Sequence, residues 1–356
     1  MKVSVLMSRE PTYTRNKVIL RGLKEAGLEV VEYCDHSKKY PMRFAKVLGR
    51  YAVNRSRDSD AVLVGFFGQP LMPFVRRMTD RPIILDIFLS GFDTMCFDRR
   101  RFSPGSLPGK FFFRLDRAAC EKADVVLLDT NEHIDYFVST FGLPREKFRR
   151  VFVGADTNLF HPLPGNPDRP DGPFTLFYYC TYHPVHGTEH IVRAAHLLRE
   201  HNDIRFQLVG TGQERSRIEE LSRQLGITNI EFIPWIAYEK LPEAIARCDV
   251  CLGGHFSTVD KASRVIAGKV YQFLAMCKPT IVGDNAANRE LLTPGGDSLM
   301  VPMGDSDALA AAILQLRNDE GLRNRIAAGG YGTFERNCTP AIIGSEINRV
   351  LEETLS

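Results

Sequence analysis

No stretch of this 356-residue chain approaches the roughly 18 consecutive apolar residues that a membrane-spanning helix needs, although 44% of it is hydrophobic. The opening MKVSVLMSREPTYTR turns charged after a short apolar run and is not read as a signal peptide. Neither GxxxxGK[ST] nor a complete GxGxxG occurs, which argues against kinase and dehydrogenase chemistry. Tryptophan appears once, at Trp235, and its expected role is packing. The eight cysteines are scattered, mostly inside apolar segments. Cys248 and Cys251 form a CxxC with no second pair. Reduced thiols in a cytoplasmic protein are expected, and zinc is not.

The formal net charge is only +3, but it is unevenly spread: +8 over residues 1–170 and −5 over 171–356. A basic first half suits an acidic partner, either an anionic membrane surface or a phosphate-bearing acceptor. An ordinary solvated surface explains the same charge, and nucleic acid is not expected. Two segments, RFAKVLGRYAVNRSR and RRRFSPGSLPGKFFFR, mix cations with Phe, Tyr and Leu and are the candidates for peripheral membrane contact.

The first half alternates strands with amphipathic helices. KVSVLM, LEVVEY, DAVLVGFF, PIILDIF, DVVLLDT and FRRVFVG read as strands. RNKVILRGLKEAG, stopped by Gly27, LMPFVRRMT, FFFRLDRAACEKA and HIDYFVSTFG read as helices. Such units imply a parallel sheet covered on both faces. Five prolines between Asp156 and Pro173 then mark a linker. The alternation resumes from FTLFYYC onward. The expected division is residues 1–155, a linker at 156–173, a second domain at 174–334, and a C-terminal helical segment at 335–356 able to pack back on the first domain. The fold class is α/β, with two doubly wound domains facing across a cleft. In such sheets ligands bind at the carboxyl ends of strands.

The ordered blocks VGADTNLFHP, FTLFYYCTYHPVHGTEHIVRAAHLL, FQLVGTGQERSRIEELSRQLG, EFIPWIAYEKLPEAIARCDVCLGG and KVYQFLAMCKPTIVGDNAANRELLTPGGDSLMVPMGDSDALAAAI resemble the retaining GT-B glycosyltransferases of the family-four type. The resemblance covers about residues 150–325 and is looser before them. It implies two Rossmann-like domains, the second holding a nucleotide-sugar donor. The implied activity moves a hexose-type sugar to a glycan or lipid-linked acceptor, with retention and without metal. No cofactor is expected. A non-catalytic nucleotide-sugar-binding paralogue is the alternative, with an epimerase or hydrolase on the same scaffold as another.

Expulsion of a diphosphate builds negative charge, which fixed cations and helix N-termini stabilise. The family's Lys before Gly is replaced here by His186, followed by Gly187. Gly268 reads as a helix start, with Lys269 in the first turn and Arg264 in the loop ahead. These two cations are the expected diphosphate ligands, assisted by His186 and the Gly187 backbone. By the resemblance, a pair of glutamates eight positions apart falls on Arg264 and Gln272; the second normally holds the donor ribose. Glu290 matches a further acid near the pocket, with a helix-end hydrogen bond as the other reading. Gly254 and His255, with Gly253 before them, are placed along the donor pocket, and Trp235 and Ile236 where relatives flank the nucleobase. Gly210 and Gly212 let the backbone approach a ligand, or simply make a strand-to-helix turn.

In the first half Asp86 ends a strand and is the acceptor-side candidate; a loop-capping carboxylate is the other reading. Asp129 shares that ambiguity, and Asp93 and Asp98 are expected in a loop. His183, His186, Glu189 and His190 crowd together without a zinc-helix spacing, so no metal is assigned. Asp305 and Asp307 open a helix, where an N-cap role is expected.

Overall fold

The computed structural model describes residues 1–9, 12–54, 59–163 and 172–356. The linker residues 164–171 and the end of the first basic segment, residues 55–57, lie outside the described residues. Two units result. Unit 1 is Met1–Asp156 with Cys338–Ser356, and unit 2 is Thr157–Asn337.

Unit 1 holds six parallel strands: β1 (Lys2–Met7), β2 (Glu29–Cys34), β3 (Ala61–Val64), β4 (Ile83–Asp86), β5 (Val125–Leu128) and β6 (Phe148–Arg150). Their order is β2-β1-β3-β4-β5-β6. The helices between them are α1 (Thr14–Glu25), α2 (Tyr40–Asn54), α3 (Met72–Met78), α4 (Gly91–Asp93), α5 (Leu107–Lys122) and α6 (Asn131–Phe141). Strands AVLV, IILD and VVLL are buried throughout, as strands covered on both faces must be. The chain winds outward from β1 to β2 and then crosses to β3, so the winding reverses between β1 and β3.

Unit 2 repeats the plan with β7 (Phe174–Tyr179), β8 (Ile204–Val209), β9 (Ile230–Ile233), β10 (Val250–Gly254), β11 (Thr280–Asp284) and β12 (Leu299–Pro302), all parallel. Their order is β12-β11-β10-β7-β8-β9, which puts the reversal between β7 and β10. Its helices are α7 (Thr188–Leu197), α8 (Arg215–Gln224), α9 (Leu241–Ala246), α10 (Asp260–Arg264), α11 (Gly268–Ala275), α12 (Ala286–Arg289), α13 (Ser306–Asn318) and α14 (Glu320–Asn337). Asp305 caps α13 by accepting from the Ala308 N–H at 2.8 Å.

The boundary expected after residue 334 falls inside α14, which belongs wholly to unit 2. The last helix, α15 (Pro340–Leu355), is part of unit 1 and packs on α1. The two helices meet at Gly22 and Gly344. A Cβ on Gly22 would lie 2.3 Å from the Pro340 carbonyl, and one on Gly344 would lie 2.0 Å from the Gly22 carbonyl. Only glycine permits backbones this close. Asp93 and Asp98, expected in a loop, lie instead in α4 and in the π-helical turn Thr94–Asp98 that follows it. Among the described residues no helix is long and apolar enough to cross a membrane.

Candidate functional site

The reversal point of unit 2 gathers the titratable groups. After β7 the chain forms a short 3-10 turn, Pro184–His186, and then enters α7 at Gly187. After β10 it reaches His255, which is buried. The His186 and His255 rings lie 5.2 Å apart, and the His183 ring stacks 6.3 Å from that of His186. His186 Nε2 lies 3.3 Å from the Thr181 hydroxyl. Burial holds both His186 and His255 well below the ordinary imidazole range, and the Lys269 charge lowers them further.

Lys269 is buried in the first turn of α11, where the sequence placed it. Its ammonium sits 4.7 Å from the Tyr178 ring centroid and 5.8 Å from that of Tyr179. Among the described residues no carboxylate pairs with it. Burial lowers its pKa from 10.5 to about 8. A buried cation without an acid partner is costly to the folded state. It suits a place that an anion will occupy.

Arg264 is not in a loop. It ends the short helix α10, where Asp260 one turn earlier engages its guanidinium. Lys261, on the same helix, is buried, and its charge acts on both His186 and His255. Sequence reading passed over Lys261, although its three-residue spacing from Arg264 puts both on one helix face.

Gln272 is buried in α11 and bridges two tyrosines. Its Oε1 accepts from the Tyr179 hydroxyl, and its Nε2 donates to the Tyr238 hydroxyl at 3.2 Å. Gly210 and Gly212 meet protein rather than open space. At φ +126° and +156°, their missing Cβ atoms would lie 1.9 Å from the Cys180 carbonyl and 1.8 Å from that of Thr181. The β8–α8 turn is thus pressed against the loop that carries His183 and His186. Gly187, at φ +64°, packs likewise on Phe256 and Ser257. Gly254 ends β10 with a positive φ. Glu290 is half-buried at the C-terminal end of α12.

Trp235 does not pack in the core. It is 66% exposed, between β9 and the turn Tyr238–Lys240, with Ile236 partly buried beside it. The strand that ends just before it, β9, is the outer strand of its sheet. Cys248 and Cys251 are buried with sulfurs 3.4 Å apart, and burial raises the Cys251 thiol well above its ordinary range. Among the described residues no group of three His, Cys, Asp or Glu is placed to hold a metal ion.

In unit 1 the acceptor-side expectation for Asp86 meets a different geometry. Asp86 is fully buried and takes a forked pair of contacts from the buried Arg15, with Nε to Oδ1 at 2.8 Å and Nη2 to Oδ1 at 2.7 Å. Arg15 Nη1 donates in turn to the Val151 and Phe152 carbonyls. The Arg15 guanidinium thus ties β4, α1 and the chain after β6 together, and the Asp86 carboxylate it holds does not face solvent. Asp129 is similarly engaged, with Oδ1 2.7 Å from His133 Nδ1. At the reversal point of this sheet stand rings the sequence did not flag: Tyr13 stacks on Phe66 at 4.3 Å, and Phe66 contacts Phe88 at 5.5 Å. Asp116, also missed, is buried and pushed up to about 6 by that burial. It accepts from the Ser90 hydroxyl at 2.7 Å and the Phe92 N–H at 2.9 Å, fixing the loop beyond β4.

Residues 173–319 match the family model described as Glycosyl transferases group 1. The lipopolysaccharide core biosynthesis glycosyltransferase LpsD of Rhizobium meliloti is 30% identical over 149 residues, covering 42% of this chain and 40% of that protein. The alpha-D-kanosaminyltransferase of Streptomyces kanamyceticus is 24% identical over 225 residues, covering 60% and 56% respectively. The match therefore spans less than two thirds of either relative. Among solved structures, Anabaena Alr3699/HepE in complex with UDP-glucose aligns with a TM-score of 0.74 at 15% identity, over 99% of this chain and 100% of that one. Likeness at that identity is one of fold. Residues 173–319, within unit 2, are thus similar to the Glycosyl transferases group 1 family, and the chain has the two-sheet α/β fold of the GT-B type.

Proposed function

We propose that the chain transfers a hexose-type sugar from a nucleoside-diphosphate sugar to a glycan or lipid-linked acceptor. The observation that carries this is Lys269, buried at the start of α11 beside two neutral imidazoles and without a carboxylate partner among the described residues. As the glycosidic bond breaks, charge accumulates on the leaving diphosphate. Lys269 and the α11 N–H groups face that charge without reorganising, which lowers the barrier to bond cleavage. His186 and His255 donate to the phosphate oxygens in their neutral form, or as imidazolium once the anion is bound. Lys261 adds charge from α10. Arg264, engaged by Asp260, positions α10 and contributes to the field. Exposed Trp235 offers a flat face for a base to stack on.

The relatives' names support this reading: LpsD is a lipopolysaccharide core glycosyltransferase, and the HepE structure holds UDP-glucose. Retention, metal independence and a cytoplasmic setting belong to the same proposal. In it the departing phosphate takes the acceptor's proton, in keeping with the lack of a carboxylate paired with Lys269 among the described residues.

A thermal-shift screen with UDP and several UDP-, GDP- and ADP-sugars, followed by nucleotide-release assays with glycan and lipid-linked acceptors, tests it. Stabilisation by one nucleotide sugar with turnover is expected. Stabilisation without turnover on any acceptor would turn the assignment to a nucleotide-sugar-binding protein that does not catalyse.

A further inference from the structure

The connection from β4 into α5 puts three large apolar side chains into solvent: Leu107 is 85% exposed, Phe111 59% and Phe97 45%. Leu107 and Phe111 are four residues apart in α5 and therefore share one face. The exposed rings are edges of a packed aromatic cluster. Phe97 meets Phe92 edge-on at 5.5 Å, Phe92 meets Phe113 at 5.3 Å, and Phe111 meets Phe112 at 5.5 Å. Backbone packing holds the display in place. Ser106 caps α5 by accepting from the Gly109 N–H, and the Ser103 and Pro104 carbonyls fill the space where a Gly109 side chain would stand.

Charge separates this surface from the other basic segment. Arg100, Arg101, Lys110 and Arg114 are exposed, and none is paired with a carboxylate among the described residues. Asp98 and Asp116, the acids of this stretch, are buried. In α2, by contrast, Lys46 and Arg50 both reach Asp35, at 3.6 and 3.5 Å. Apolar edges ringed by unneutralised cations match an anionic lipid interface, which takes up both. A water-filled binding groove would leave Leu107 with no partner. The position also fits. The helix follows β4 and returns the chain to the parallel strand β5, so its first turn lies at the carboxyl edge of the sheet.

We propose that the surface from Phe97 to Arg114 seats unit 1 on an anionic bilayer, with Leu107 and Phe111 entering the boundary between headgroups and acyl chains. This stands apart from the glycosyl-transfer reading.

The test is co-sedimentation of the full chain with phosphatidylcholine vesicles, with and without phosphatidylglycerol. Binding is expected only with the anionic lipid and weakens with salt. Arg101→Gln or Lys110→Gln weakens it about fivefold each, the worth of one cation near such a surface. The double variant Leu107→Ser with Phe111→Ser weakens it about tenfold or more at an unchanged melting temperature. Lys46→Gln with Arg50→Gln leaves it unchanged. Equal binding to neutral vesicles, no vesicle binding, undiminished binding by the double variant, or a loss confined to the α2 variant each overturns the proposal. So does capture of an acidic protein or of RNA by this surface in place of lipid. Nucleotide release on a soluble acceptor, measured without vesicles, reports on glycosyl transfer alone.

Discussion

Replacing Lys269 by methionine asks whether unit 2 holds a cation at the expense of its own stability. In water the ammonium titrates at 10.5, and burial brings it to about 8 in the folded protein. A gap of about 2.5 pH units, at about 1.36 kcal/mol per unit, means that keeping Lys269 protonated at neutral pH costs the folded state about 3 kcal/mol. Because the folded pKa lies below the unfolded one, the unfolded chain binds more protons between them. Stability contributed by this group therefore rises as the pH climbs from about 8 to 10.5, and is level below that window. Methionine keeps much of the stem's volume and carries no charge. At pH 7, Lys269→Met is expected to raise the melting temperature of unit 2 by roughly 6–12 °C, taking about 2–4 °C per kcal/mol. The rise between pH 8 and 10.5 flattens in the variant. Affinity for UDP falls, because the cation facing the diphosphate is gone. Scanning calorimetry at pH 7 and pH 9.5, with and without UDP, reads all three effects. A variant that melts below the parent at pH 7 refutes the cost assigned to the buried charge. One that melts higher but binds UDP undiminished refutes the anion site.

Arg15→Met strands the buried Asp86 carboxylate and is expected to cost about 3–5 kcal/mol in urea denaturation; adding Asp86→Leu recovers most of it, and additive losses would refute the pairing. Gly22→Ala drives a methyl into the Pro340 carbonyl and should cost about 1–3 kcal/mol, with α15 becoming the first site of limited proteolysis. Carbon-detected titration should find Asp116 protonating near pH 6. Since its folded pKa lies above the unfolded 3.8, it contributes stability that is complete below about pH 4 and lost as the pH rises through 6; an Asp116 midpoint near 4 would contradict its burial.

Much of the architecture was legible because parallel strands buried on both faces must be apolar along their whole length, as AVLV, IILD and VVLL are. The start of α11 at Gly268, and with it the place of Lys269, was also read from the sequence. What escaped was decided by partners distant in sequence. Asp86 looked like a free acid at a strand end, and nothing local announces that Arg15, 71 residues earlier, closes on it. Trp235 was assigned to the core on its residue type, yet the strand before it is the sheet's outer one and the ring is exposed. α14 carries four glycines and no clean apolar stripe, which hid its length and moved the expected boundary into it. Lys261 was overlooked because a lysine on a short polar helix usually points to water, whereas here it is buried.

The return of α15 to α1 gives the molecule a nested chain order, with unit 1 interrupted by the whole of unit 2. A ribosome emitting this chain finishes unit 2 first, while α1 still shows the bare strip around Gly22 that α15 will cover. Until residues 338–356 emerge, that strip is a standing invitation to chaperones, and a stop codon placed just before Cys338 would leave it open for the lifetime of the protein.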